Sequence, residues 1–551
     1  MPGLRLTVLL LLIFLPGTLH AQTAKPFILP IGLPPGPSTW LLGQPYGNTI
    51  GAFVNGDRWY SAGQRLHFGL DFSMPCGTPL VAVADGEVAF VDDLGFGSGP
   101  HNLLLRHPQA GLISLYGHLL ERPQLTPGQP VRQGDVVARS GDPDVTCDSR
   151  PHLHFEVRSL DYFTAYNPVM YIEANWHALS AIGAFRYPQF QQDLDNARRW
   201  MSIDDQPPVA FGGRSLNSYA APFPDLRRGQ PPSNPTPVRD LAPLPDTATA
   251  QMRRLAFEGC CYGAYWHPTD AGRLYAIDGT DNQRAVIFEW GTWDTPTPTL
   301  VGEAPPPYLS PDGGYELRYV DNLTVIRRLS DSAEWSVDTG GAPAALSADS
   351  SRLLWQIGRD DGTGAQVTDI YISAADGASA QVVASVPNGS AQWLDAHRLL
   401  IGRRDRITTT LGVYDTADGS SFVLGSWDWL RNLTIAPGGG RLMFYLVYQP
   451  ENAGLYTIQT QAGASALRLP WFGSWRWRGG DDVYYLPFDP GSGVHTLHYY
   501  NLVTGTDRAL TDPAAMPFTV GNGEWSVSAD GRQIVFFNPN DMSLWLIDIL
   551  L

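Results

Sequence analysis

The chain has 551 residues, more than one hydrophobic core usually serves, so two or three domains are expected, and its 43% apolar content is enough to fill them. Charged residues are only 17% while Gly (57), Pro (46) and aromatics (11%) are plentiful, a balance that favours short strands and tight turns and predicts a mainly β protein. The net charge of -17 excludes a nucleic-acid surface, which needs clustered Lys and Arg.

Residues 1–21 read as a secretory signal: Arg5 supplies the positive start, Leu6 to Leu15 the apolar run, and Ala21 the small residue that cleavage requires. The run is about half the ~20 residues a membrane-spanning helix needs, and no later stretch is long enough. A transmembrane anchor is therefore not expected, nor a lipid anchor, since no Cys lies just after the run, and the protein is expected to be secreted or held in the periplasm or cell envelope. A Pro-rich lead (26–37) then opens the first domain, 22–175, where alternating apolar segments between Trp40 and Ile172 are broken by Gly and Pro turns.

Three short segments of this domain concentrate residues able to bind a metal. In H-F-G-L-D, the period-two alternation of a strand puts His67, Gly69 and Asp71 on one face, with Gly69 leaving room between an imidazole and a carboxylate that converge on one ion. In P-H-L-H-F-E-V, His152, His154 and Glu156 share a face while Leu153, Phe155 and Val157 turn to the core. In I-S-L-Y-G-H-L, the same rule predicts a common face for Ser114, Tyr116 and His118. Each motif alone is more often incidental, but their conjunction between residues 67 and 154 of an exported β domain points to a metal site with His and Asp ligands and an open position for water. Cys76 and Cys147 flank these segments, so a disulfide between them would tie the site together, whereas Cys260 and Cys261 read as two small buried residues.

The run R-L-H-F-G-L-D-F-S-M-P-C-G-T-P-L-V-A-V-A-D-G-E-V, followed by L-Y-G-H-L and P-H-L-H-F-E-V, resembles the lysostaphin/LytM family of zinc endopeptidases across about residues 40–172. That resemblance implies the duplicated hybrid motif fold, Zn2+ bound by His67, Asp71 and His154, and a catalytic pair in His118 and His152. It also implies cleavage of peptide bonds in the stem peptides or cross-bridges of bacterial peptidoglycan. Two segments depart from the family pattern: D-V-T-C-D-S-R-P before the H-x-H, which carries Arg150, and G-F-G-S-G-P-H-N, whose His101 is expected to face solvent.

Residues 176–250 read as a connection: Phe185 to Met201 as a short helix, and Pro207 to Pro245, with ten prolines, as an extended spacer. From 251 to 551 an Asp- or Gly-containing turn before an apolar strand recurs. Anchored at Asp270, Asp312, Asp349, Asp395, Gly438, Gly480 and Asp530, its spacings are 42, 37, 46, 43, 42 and 50 residues, the length of a four-stranded propeller blade. This half resembles the WD40-like propellers of the TolB type, which implies a β-propeller of about seven blades, with six as the alternative, and a surface for a wall component or protein partner. His107, His177, His267, His397, His495 and His498 lack partners at ligand spacing, and with no G-x-S-x-G a serine hydrolase is not supported. The expected function is therefore an exported zinc metalloendopeptidase acting on peptidoglycan; the alternatives are a non-catalytic LytM-like regulator of a wall hydrolase, or a propeller scaffold with accessory protease activity.

Overall fold

A computed structural model describes residues 24–47, 49, 51–52, 55, 64–182, 202–213, 238–239, 241–256, 261–279, 285–291, 298–303 and 308–551. The expected signal segment, the helix expected over Phe185–Met201 and residues 214–237 of the spacer lie outside them. No helix among the described residues is long and apolar enough to cross a membrane.

The strands of the first half are β1 (Leu41–Gln44), β2 (Leu70–Ser73), β3 (Pro79–Val81), β4 (Gly86–Val91), β5 (Leu103–His107), β6 (Leu112–Gly117), β7 (Pro130–Val131), β8 (Val136–Arg139), β9 (His152–Ser159), β10 (Thr164–Tyr166) and β11 (Val209–Ala210). They form an antiparallel sheet ordered β1-β2-β9-β6-β5-β4-β7, in which β10 continues along β9 and pairs β11, while β3 and β8 form a separate ribbon. Alternation along β9 sends Leu153, Phe155 and Val157 into a core with Leu70, Phe72 and Tyr116. Burying each of these large side chains is worth about 1.5–3 kcal/mol, and it is this burial that commits His152, His154 and Glu156 to the opposite face. The segment 202–213, at the start of the expected spacer, is not extended away: β11 adds to the sheet, and the Phe211 ring packs 4.7 Å from Phe68.

Cys76 and Cys147 are bonded, tying the turn after β2 to the loop Asp142–Arg150 that leads into β9. Within that loop the Asp142 carboxylate accepts from the Ser149 hydroxyl and from the backbone N–H groups of Ser149 and Arg150. Cys261 is buried and also disulfide-bonded. The expectation of simple small core residues at Cys260 and Cys261 is therefore corrected at Cys261, whose sulfur is covalently engaged.

In the second half, seven four-stranded antiparallel sheets follow one another among the described residues and make a seven-bladed propeller. Each of the seven anchor residues falls in the turn between the first and second strand of a sheet. The local chemistry explains the repeat. In the Asp312, Asp349 and Asp530 turns the carboxylate accepts from a Ser hydroxyl two residues earlier, at 2.5, 2.6 and 2.7 Å, and from the backbone N–H two residues later. The same Ser oxygen then accepts the N–H that opens the next strand (Tyr315, Arg352, Gln533). The ring closes non-locally, because β12 (Thr249–Arg254) is the outer strand of the last blade, paired along its length with Ser543–Leu550.

The halves are docked, not merely tethered. Leu41 and Ile182 share one buried cluster with Met443, Tyr445, Trp475 and Tyr485 of the propeller. Helix α1 (Trp176–Ser180) packs against the segment Gly521–Gly523, where Asn522 accepts from the Ile203 N–H and a Cβ on Gly523, at φ 70°, would lie 3.0 Å from the Ser180 carbonyl. This docking segment lies within the longest repeat spacing, the 50 residues between Gly480 and Asp530. On the other side of the cleft, Arg404 donates to the Ser149 carbonyl and Arg406 pairs with Asp148, so the disulfide-bonded loop is held against the fourth full blade of the propeller half.

Closing the loop between Cys76 and Cys147, 71 residues apart, stabilises the fold by about 4 kcal/mol in the chain-entropy account. Replacing both residues by Ser is expected to lower the denaturation midpoint accordingly and to steepen the dependence on denaturant, because the denatured chain is no longer cross-linked, measured by urea unfolding of the oxidised chain and the double variant.

Candidate metal centre

Register decides the site. β2 and β9 pair with Asp71 directly opposite His154 and Ser73 opposite His152, and β6 brings Gly117 alongside His154 from the other side. His67 precedes β2 and is fixed by reciprocal backbone hydrogen bonds with Gly47. A Cβ on Gly69 would stand 2.3 Å from the Phe155 carbonyl oxygen and 2.9 Å from Glu156 Cγ. That glycine therefore makes room for β9 and the Glu156 side chain, not for a gap between His67 and Asp71 as expected.

Asp71 Oδ1 lies 3.0 Å from His67 Nε2 and 2.9 Å from His154 Nδ1, and these two nitrogens are 3.0 Å apart. The remaining ring nitrogens are already committed. His67 Nδ1 faces the Pro45 carbonyl at 2.6 Å and His154 Nε2 the Glu156 carboxylate at 2.9 Å; both partners only accept, so both nitrogens carry the hydrogen. Two imidazole lone pairs and a carboxylate are thus left converging on one point, an arrangement that repels itself unless a cation occupies it. In the absence of an ion, a proton on His154 relieves that repulsion. Burial would raise the Asp71 carboxyl and lower His154, yet His67, His152 and His154 hold Asp71 well below the usual carboxylate range, while Asp71 and Glu156 bring His154 up to about 9. The donor set fits a divalent ion such as zinc, which takes His nitrogen and carboxylate oxygen together, and these three residues form a metal-binding group.

Behind His154 runs a supporting chain that sequence reasoning left unnamed. Glu156, whose pKa falls to about 2 because Arg158 and His154 outweigh burial, accepts from Arg158 Nε at 2.6 Å. Arg158 in turn donates to the Phe96 carbonyl and lies over the Phe211 ring at 4.4 Å. Such partners orient a ligand imidazole and raise its basicity. The H-x-H-x-E alternation already placed Glu156 on the metal face; only its function was hidden.

His118 reaches the site by a different route from the one expected. Ser114 and Tyr116 share the core face, Tyr116 packing edge-on against Phe155 and donating to the Val81 carbonyl and Ser114 buried against His107, but His118 does not join them there as expected. Strand alternation would send His118 the same way. Instead it adopts a left-handed backbone (φ 54°) just after β6, with its N–H bonded to the Ser98 carbonyl, and this turns the ring into the cleft. The His118 ring lies 4.7 Å from that of His152 and 5.8 Å from that of His154. Both His118 and His152 donate Nδ1–H to a carbonyl, of Gly99 and Arg150 respectively, leaving Nε2 as a free base. Burial is the first cause that lowers both, His118 to about 3, so each is neutral at ordinary pH. His101 does not join them; half-exposed, it pairs with Asp92 at 2.8 Å.

The five residues open into a cleft of about 1230 Å³ whose wall includes Phe96, Arg150, Tyr162, Phe163 and, from the propeller, Arg431 and Tyr448. Fold and site together define a metallopeptidase-type centre on a β domain fused to a propeller. Residues 65–168 match the profile of Peptidase family M23, and the chain carries a metallopeptidase domain of that family. It is similar to an uncharacterized metalloprotease of Haemophilus influenzae, 38% identical over 92 residues (17% of this chain, 18% of the relative). It is also similar to the DD-carboxypeptidase/endopeptidase Mpg of Neisseria meningitidis serogroup B, 38% identical over 94 residues (17% and 20%). The chain thus spans about a fifth of the length of these relatives. Among solved structures, an oligogalacturonate lyase in complex with manganese is similar at 12% identity and a TM-score of 0.38, over 59% of this chain and 99% of the other.

Glu156→Gln keeps the shape behind His154 but removes the charge, and is expected to weaken metal affinity about 10- to 100-fold, read by competition with a coloured chelator; His67→Ala is expected to abolish binding.

Proposed function

We propose that the chain is an exported zinc endopeptidase that hydrolyses peptide bonds of bacterial peptidoglycan, with its propeller holding the peptidase against a wall component or protein partner. One observation carries the reading: three donors converge on a cation position beside two neutral histidines in an open cleft. Its substrate class follows from the resemblance to lysostaphin-type enzymes, and export from the signal-like N-terminus and the Cys76–Cys147 bridge, which suits an oxidising compartment.

His67, Asp71 and His154 would hold the ion, which when bound supplies Lewis acidity to a carbonyl and lowers the pKa of water. The rest is the work of this chain. His118 and His152, neutral and each with Nδ1 tied to a carbonyl, present Nε2 to the cleft, where one accepts a proton from the attacking water and the pair returns it to the departing amine. Once protonated, the same rings stabilise negative charge developing on the former carbonyl oxygen. Asp71 steadies that imidazolium, since its Oδ1 lies 3.6 Å from His152 Nε2.

The purified chain is expected to hold one zinc and to clear a suspension of peptidoglycan with release of free amines. Asp71→Ala is expected to lose both metal and clearing. His118→Ala and His152→Ala are expected to keep the metal and lose at least about 100-fold in rate. A metal-free, inert wild-type chain would overturn the reading.

A further inference from the structure

We propose that the propeller forms part of the peptidase cleft and that Arg431 binds a free carboxylate of the peptide substrate; this rests on the peptidase reading above. Arg431 and Tyr448 line the same cleft as His118, His152 and the metal-binding group, although they lie more than 250 residues away along the chain. The contact between the two halves is built, not incidental. The Tyr448 N–H donates to the Pro37 carbonyl at 2.9 Å, and its buried hydroxyl lies between Ser73, the residue paired with His152 across β2 and β9, and Arg431. Through Tyr448 and Ser73, Arg431 is thus linked to the strand pair that carries His152.

Arg431 is held ready for a ligand. It is the second residue of the strand Leu430–Ile435, its guanidinium lies 5.5 Å over the Trp429 ring, and Nη1 donates to the Leu430 carbonyl at 3.3 Å. Trp429 packs edge-on against Tyr448 at 5.0 Å. Both neighbouring kinks, Trp429 (φ 56°) and Asn432 (φ 53°), are left-handed, and the pairing register slips between Arg431 and Thr434. A bulky residue rarely accepts that conformation, and here it turns the strand start towards the cleft.

In a chain of net charge -17, both halves bring a cation to the cleft, Arg150 from the peptidase domain and Arg431 from the propeller, and Arg431 stands close enough to Arg404 to help lower its pKa, after burial. Arg404 and Arg406 are spent on docking the disulfide-bonded loop, through Ser149 and Asp148. Among the described residues Arg431 makes no ion pair with a carboxylate, and its planar fork suits bidentate capture of one from a ligand. The substrate it selects is a peptide bearing a free carboxylate near the scissile bond, which a wall stem peptide offers at its C-terminus and at its D-glutamyl residue.

The test uses the full chain and a stem pentapeptide in four forms: free, amidated at the C-terminus, amidated at the D-glutamyl carboxyl, and amidated at both. Equilibrium binding, by fluorescence anisotropy, is measured beside the cleavage rate. The free peptide is expected to bind about 10- to 100-fold more tightly than the doubly amidated one. Arg431→Ala should collapse that ratio to about one, and Arg431→Lys, which keeps charge without the fork, should retain part of it. A ratio that survives in Arg431→Ala, or that is already one in the wild-type chain, overturns the proposal. Because binding is read independently of cleavage, an inert chain that still shows an Arg431-dependent ratio would sink the peptidase reading alone.

Discussion

The pairing of Asp71 with His154 across β2 and β9 is the constraint on which the centre depends. A slip of one residue in that register would turn His152, His154 and Glu156 into the core and expose Leu153, Phe155 and Val157, so the metal position is secured by the same burial that holds the sheet together. Within that frame, protons do the fine placement. Because Pro45 and Glu156 each consume one ring hydrogen, the neutral forms of His67 and His154 have no choice of tautomer, and the nitrogens they turn towards Asp71 are placed to hold a cation, a metal ion in place of a proton.

What surrounds the centre comes from three distant stretches of chain. Phe211, from the segment that returns to the sheet through β11, covers Arg158 and so supports the Glu156–His154 pair. The loop Asp142–Arg150 is pinned at one end by the disulfide and at its crest by Arg404 and Arg406. The propeller then adds its own surface. A blade repeat specifies a ring through local turn chemistry, but it says nothing about what the ring leans on; that is decided by the apolar cluster around Leu41, Ile182 and Tyr445 and by the Gly521–Gly523 segment.

Which parts were legible from residues alone follows from how local their causes are. Three of the seven turns could be read because a Ser and an Asp two apart satisfy the same backbone groups wherever they occur, and the other four because an Asp- or Gly-containing turn recurs at blade spacing. His67, Asp71, His152 and His154 could be read because strand alternation is a local rule, and Cys76 and Cys147 because they sit beside those motifs. His118 was found by its motif but mis-aimed, since nothing in L-Y-G-H-L announces a left-handed residue other than glycine. Glu156 lay in plain view on the metal face, yet its role exists only relative to His154 Nε2 and Arg158. Arg431 and Tyr448 were beyond reach, because their place in the cleft depends on docking between elements more than 250 residues apart.

His118 and Trp429 share a feature that links the two walls of the cleft: each is a bulky residue in a left-handed conformation, one just after the strand beside the metal group and the other just before the strand that carries Arg431. Such a conformation costs of order 1–3 kcal/mol and persists only where its surroundings over-determine it. Around His118 the surroundings are the bonds of its N–H to Ser98 and of its ring to Gly99. Around Trp429 they are the backbone bonds to Ile407 and Val447 and the Tyr448 ring. Both strained turns redirect a polar side chain, His118 itself or the neighbouring Arg431, into the same space. A regular strand would have left that space without a base on one side and without a cation on the other, so the two halves of the chain bear comparable backbone strain for a single site.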